Sequence, residues 1–161
     1  TKLTGITTKM VKDAPVFEEA VKQFFGWCFS YDGECQVQAW SDSDLHQILA
    51  EIALKHYVIN KEEQELIDNW MDFQNEYIVK LGLGRVVSLE KALNYAGIEF
   101  RGKQHDALDD AKNTADLFKI IRDNSLFEEH LHIVKEALES KPMVNTLGSM
   151  FDFAKIARVI A

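Results

Sequence analysis

The sequence predicts a helix-rich α/β fold, and three observations carry that expectation. The stretch "CQVQAW" at Cys35–Trp40 alternates, with Cys35, Val37 and Ala39 on one side, which is the period of a strand. Six or seven other stretches place apolar residues at helical spacing. The chain has 161 residues, 47% of them hydrophobic, with only two prolines and eight glycines, enough for one domain with a proper core.

Each element has a local reason. Thr7 or Thr8 is placed to cap a short helix, and Pro15 suits the first turn of a second helix running to about Phe29. "YDGE" at Tyr31–Glu34 is a turn ahead of the strand. A helix over about Asp42–His56 has the core stripe Leu45, Ile48, Leu49 and Ile52. Mixed short elements follow, with a helix ending near Gly82 or Gly84. Ser88 caps "SLEKALNYAG", and Gly97 sits where a left-handed C-terminal residue is wanted. A long helix covers about Asp106–Arg122, and two more, Leu126–Ser140 and Asn145–Ile160, flank Pro142. One strand cannot satisfy its own backbone groups, so Cys35–Trp40 must pair with something, and an open edge there would mark missing strands.

The formal net charge of −8 is a poor basis for sequence-independent grip on duplex nucleic acid, which rests on many Lys and Arg contacts to phosphate. A carboxylate metal site is compatible with it, because bound divalent ions reverse the local field. No run of apolar residues is long enough to span a membrane and no signal-peptide pattern is present. Cys28 and Cys35, the only cysteines, are expected to be reduced core or near-core residues, which points to the cytoplasm.

Helical phase sorts the acids of "RGKQHDALDDAKNTAD" at Arg101–Asp116. It expects Leu108, Ala111, Ala115 and Phe118 at the centre of an apolar stripe, flanked by Ala107, Thr114, Leu117 and Ile121. Asp110 then falls within the flank, while Asp109, Asn113 and Asp116 fall on the solvent side. A carboxylate on a core-facing flank is costly unless hydrogen-bonded, paired or bound to metal, and phase alone leaves those choices open. Asp106 fits an N-cap. His105, just outside the helix, is either structural or a proton acceptor for an adjacent site. At the end of the strand, "WSDSDL" offers Asp42 and Asp44, which phase does not separate. Carboxyl ends of strands are where α/β sites tend to form.

These blocks together resemble the DEDDh (DnaQ-like) 3′–5′ exonucleases, which have a ribonuclease H-like fold of three layers. "LTGIT" with the following "MV..AP.F.EAV..F..W" resembles the segment after the first three strands of that family. "AWSDSD" is similar to its second motif, with Asp44 at the aspartate position. "HDALDD" carries its third motif, His-x4-Asp, at His105 and Asp110, and "NWMDFQ" is similar to another short family stretch. The likeness runs from Leu3 to about Ile121, and its third-motif block is most similar to the RNA-directed branch.

The resemblance implies hydrolysis of phosphodiester bonds from the 3′ end of single-stranded nucleic acid, RNA favoured, by two Mg2+ or Mn2+ ions. It implies Asp44 and Asp110 as metal ligands and His105 as the general base, on a loop free to move. Leu3, Thr4, Ile6 and Trp40 would lie beside the terminal nucleotide, and Arg101 and Lys103 would hold phosphate. The family's first motif, Asp-x-Glu, does not occur in this chain, and Asp152 is followed two positions on by Ala154, so it is no substitute. The expectation is an exonuclease-like domain over 1–125 that is incomplete at its N-terminus, with C-terminal helices over 126–161 packed on it. Such a chain would be inactive alone. The alternative is an inactive exonuclease-fold module that binds RNA or a protein partner.

Overall fold

The computed structural model describes residues 4–139. Leu3, the expected helix over Asn145–Ile160, Pro142 and Asp152 lie outside the described residues. In chain order the elements are α1 (Thr8–Val11), α2 (Phe17–Cys28), β1 (Gln38–Ala39), α3 (Ser43–Leu54) and α4 (Lys61–Asp68). After these come β2 (Met71–Asp72), α5 (Phe73–Lys80), α6 (Leu89–Tyr95), α7 (Ala107–Arg122) and α8 (Asn124–Glu139).

The starts of these helices are made by local side chains. Thr7 accepts from Met10 N–H to begin α1, and Ser88 accepts from Lys91 N–H to begin α6. Asn60 and Glu63 form a reciprocal capping box at α4. Asp106 accepts from both Leu108 and Asp109 N–H at α7. Gly97 closes α6 at φ 66°, the left-handed conformation that glycine adopts without penalty. Pro15 lies ahead of α2, whose N-cap is Val16.

The expected strand is shorter than its alternating pattern. Only Gln38 and Ala39 form a ladder, parallel to β2 in the register Gln38↔Met71 and Ala39↔Asp72. Met71 N–H donates to the Val37 carbonyl at 2.9 Å, and Gln74 N–H donates to the Trp40 carbonyl at 2.8 Å. β2 is the strand that sequence reading left within the mixed elements. Among the described residues the sheet is the pair β1–β2, so β1 is paired along one edge only.

Two apolar clusters meet the strand. Val21, Phe25 and Cys28 of α2 pack with Ile52 of α3 and with Leu66 and Ile67 of α4, and Cys35 and Val37 lie against them. Phe73 and Tyr77 of α5, Leu93 of α6, Leu117 and Ile121 of α7 and Val134 of α8 form the other, and Trp40 lies against it. Burying each such large side chain is worth about 1.5–3 kcal/mol. α8 packs on both α6 and α7. Its Val134 is fully buried, and its His130 shares a hydrogen bond with Tyr77 of α5.

α7 corrects the expected stripe. Its buried residues are Asn113, Thr114, Leu117 and Ile121, whereas Leu108, Ala111 and Ala115 are exposed. The inward arc is rotated by roughly a third of a turn from the one that apolar periodicity selects. The physical reason is that α6 and α8 cover one side of α7, and that side includes a polar residue, Asn113, which hydropathy alone assigns to solvent.

Candidate active site

The residues singled out from sequence lie on the two loops that lead into α7 and α1 and at the helix start after β1. Asp44 lies in the first turn of α3, whose N-cap is Asp42, so the helix boundary now separates the two acids. Asp42 faces His46 at 3.9 Å, one turn along. Asp44 is exposed and has no ion-pair or hydrogen-bond partner among the described residues.

Asp110 lies in the first turn of α7, half-buried on the inward arc. Its backbone is used: Asp110 N–H donates to the Asp106 carbonyl, and the Thr114 hydroxyl donates to the Asp110 carbonyl at 2.8 Å. Its carboxylate has no donor and no cation among the described residues. The choices left open by helical phase were a hydrogen-bonded, a paired and a metal-binding carboxylate. The first two have no partner here.

The loop Arg101–Asp106 is held in place by α7. The Asn113 side chain, fully buried, accepts from Arg101 N–H at 3.0 Å and donates to the Arg101 carbonyl at 2.8 Å and the Asp109 carbonyl at 2.7 Å. The Asp109 carboxylate accepts from Lys103 N–H at 2.9 Å. Gly102 makes that approach possible: its φ is 88°, and a Cβ there would collide with the Asp109 carboxylate. The loop closes with Asp106 N–H donating to the Lys103 carbonyl at 3.1 Å. His105, exposed at φ 66°, projects from this frame in a conformation uncommon for a residue with a Cβ.

The loop into α1 reaches the same place. A Cβ at Gly5, φ 76°, would collide with Lys103 Nζ, so "TGI" at Thr4–Ile6 runs beside that ammonium group. Thr4 Oγ1 accepts from Ile6 N–H at 3.2 Å, and Ile6 is exposed. The structure thus brings Thr4, Ile6 and Lys103 together. Arg101 is engaged elsewhere, its guanidinium on the Asp116 carboxylate. The Trp40 ring packs edge-on against Phe73, with ring centroids 5.8 Å apart, and against Tyr77 at 5.7 Å. Phe73 in turn meets Phe118 of α7 at 5.3 Å, so the end of β1 and the middle of α7 rest on one aromatic ring.

Asp109 and Asn113 are the residues that sequence reading assigned to solvent and that the structure places in the frame of this loop. A polar pair at i and i+4 beneath a glycine-containing loop is the signal they leave in sequence, but apolar periodicity is blind to it. Among the described residues no group of three or more His, Cys, Asp and Glu side chains is arranged to hold a metal ion.

Comparison with known proteins supports the family resemblance read from the sequence. The RNase T exonuclease family model matches residues 1–118. ERI1 exoribonuclease 2 of Danio rerio is 33% identical over 135 residues, covering 71% of this chain and 23% of that protein. The Homo sapiens protein of the same name is 30% identical over 148 residues, covering 79% of this chain and 21% of its own length. The 3'-5' exonuclease Snipper of Drosophila melanogaster is 27% identical over 144 residues, covering 79% of this chain and 50% of that protein. The chain therefore spans about a fifth of the ERI1 relatives and half of Snipper. No solved structure matches it. With the family model covering most of its length, this chain belongs to the RNase T exonuclease family.

Proposed function

We propose that this chain is the exonuclease part of a protein that shortens single-stranded RNA from its 3′ end. The observation that carries the proposal is Asp110, a half-buried carboxylate in the first turn of α7 with no partner among the described residues. The names of the relatives support the direction of hydrolysis and the preference for RNA.

The site chemistry suits hard divalent cations, because the free groups are carboxylate oxygens. Asp44 and Asp110 would be the ligands from this chain, for Mg2+ or Mn2+. Two carboxylates do not make a metal-pair site, and among the described residues no three His, Cys, Asp or Glu side chains are grouped to hold a metal ion. The remaining carboxylates would come from a strand laid along the open edge of β1, which would also extend the sheet towards the family's three-layer arrangement. When bound, a metal pair positions water and stabilises the leaving oxygen.

The residues of this chain have their own tasks. His105 Nε2 or Nδ1 takes the proton of the attacking water, its exposed left-handed position giving it access. Lys103 presents its ammonium group to phosphate beside Thr4 and Ile6, where the terminal nucleotide would lie. Arg101 is a lesser phosphate contact, since Asp116 competes for it. α8 completes the core of the same domain, as the buried Val134 supports.

A second reading, a binding module with this fold and no catalysis, is favoured by the incomplete ligand set. The test is trimming of a 5′-labelled single-stranded RNA by the full-length protein with Mg2+ or Mn2+. Stepwise loss from the 3′ end that Asp110→Asn abolishes supports the exonuclease. Undiminished trimming by Asp110→Asn removes the site, and RNA binding without trimming by the unaltered protein favours the module.

A further inference from the structure

We propose that Asp109 and Asn113 are positioning residues that hold the Arg101–Asp106 loop so that Lys103 and His105 face the reaction. The inference rests on the exonuclease reading above and extends it to two residues with no place in the family motif.

The case is one of hydrogen-bond accounting. The six residues Arg101–Asp106 form the irregular backbone that leads into α7, and their polar groups need partners. At its start, both backbone groups of Arg101 bond to the Asn113 side chain. At its middle, Lys103 N–H bonds to the Asp109 carboxylate and Lys103 C=O accepts from Asp106 N–H. At its end, the Asp106 carboxylate caps α7. Asn113 Nδ2 also bonds to the Asp109 carbonyl, so the two clamps are linked within one turn of α7. Asp109 and Asn113 stand four residues apart, the spacing that places both on one side of a helix.

Asp109 is adjacent in sequence to the proposed ligand Asp110, yet its carboxylate is turned the other way, onto the loop. Its function is as an acceptor rather than as a charge. Asparagine in its place keeps an acceptor oxygen; alanine does not. That difference separates the clamp from a metal-ligand role, in which asparagine should fail as is expected of Asp110→Asn. A catalytic loop displaced by about 1 Å loses on the order of 10²-fold in rate.

The experiment compares Asp109→Asn, Asp109→Ala and Asn113→Asp in the full-length protein. Three readouts are taken: kcat and KM on single-stranded RNA, the thermal midpoint, and NMR exchange of the Lys103 amide. Asp109→Ala should lose on the order of 10²-fold in kcat with its midpoint nearly unchanged, while Asp109→Asn keeps most of its rate. The Lys103 amide should be protected in the unaltered protein and in Asp109→Asn, and should exchange freely in Asp109→Ala. Asn113→Asp keeps the acceptor for Arg101 N–H but loses the donor to Arg101 C=O, and should fall between them in kcat. Equal loss in Asp109→Asn and Asp109→Ala overturns the clamp, and so does full activity in Asp109→Ala. If the unaltered protein does not trim RNA, the exonuclease reading fails. Amide exchange still decides the clamp, with unchanged exchange in Asp109→Ala overturning it.

Discussion

Tyr77 and His130 meet inside the molecule, 53 positions apart in sequence, with Tyr77 Oη 2.8 Å from His130 Nε2. Tyr77 is fully buried and His130 nearly so. This hydrogen bond fastens α8 to α5, and α5 carries the ring on which Trp40 rests. The other ring nitrogen, Nδ1, makes no well-formed hydrogen bond. Burial pushes the His130 pKa below 6.5, and the backbone of Tyr95, which favours the charged ring, offsets this only in part.

The consequence for stability has a definite sign. A histidine whose pKa is depressed by folding binds its proton more readily in the unfolded chain, so stability rises with pH through that range. The contribution is fully present above about pH 6.5 and declines as pH falls towards the folded value. Thermal midpoints should drop between neutral and mildly acidic pH, and His130→Gln should flatten that drop. An equal slope in the variant would show that other groups set it. Tyr77→Phe should destabilise at every pH, because it leaves Nε2 of a buried ring without its partner.

The rotated phase of α7 gives a direct stability comparison. Leu117→Ala opens a cavity against a core residue that is fully buried and should cost about 2–5 kcal/mol in denaturant unfolding. Leu108→Ala, at a position 62% exposed, should stay within about 0.5 kcal/mol of the unaltered protein. The reverse ranking would restore the stripe that periodicity selects.

Gly102 is under two constraints at once, a φ of 88° and the Asp109 carboxylate in the space a Cβ would fill. Gly102→Ala should cost of order 1–3 kcal/mol locally and displace Lys103 and His105 from the site. RNA trimming by the full-length protein should fall far more than the thermal midpoint does. A variant with normal kcat would show that the loop tolerates another path.

The thiols should react in order of access. Burial, reinforced by the neighbouring Cys35, pushes the Cys28 thiol up to about 11. Cys35 is only half-buried. With iodoacetamide at about pH 8, mass spectrometry should find Cys35 alkylated in the folded protein and Cys28 only after unfolding. Simultaneous labelling of both would mean that the end of α2 opens on the timescale of the reaction.

Much of the fold was legible from residues whose effect is local. Thr7, Ser88 and Asp106 accept from backbone groups two or three residues away, and Gly97 adopts its left-handed conformation where a helix ends. Distant parts of the chain are not needed for those choices. β2 was not legible, because a two-residue strand has no period to read and exists only through its pairing with β1. Trp40 was expected beside the nucleotide from the family likeness, and only the structure shows that its ring packs on Phe73 and Tyr77.

The sequence by itself determined the main helices, several of their caps and the spacing that joins His105 to Asp110, because each depends on neighbours along the chain. The tertiary structure decided which arc of α7 is buried, and with it that Asp110 has no partner among the described residues while Asp109 and Asn113 hold a loop. Those outcomes depend on α6 and α8 covering one side of the helix, and on six residues of irregular backbone needing hydrogen bonds. No period within α7 encodes either requirement.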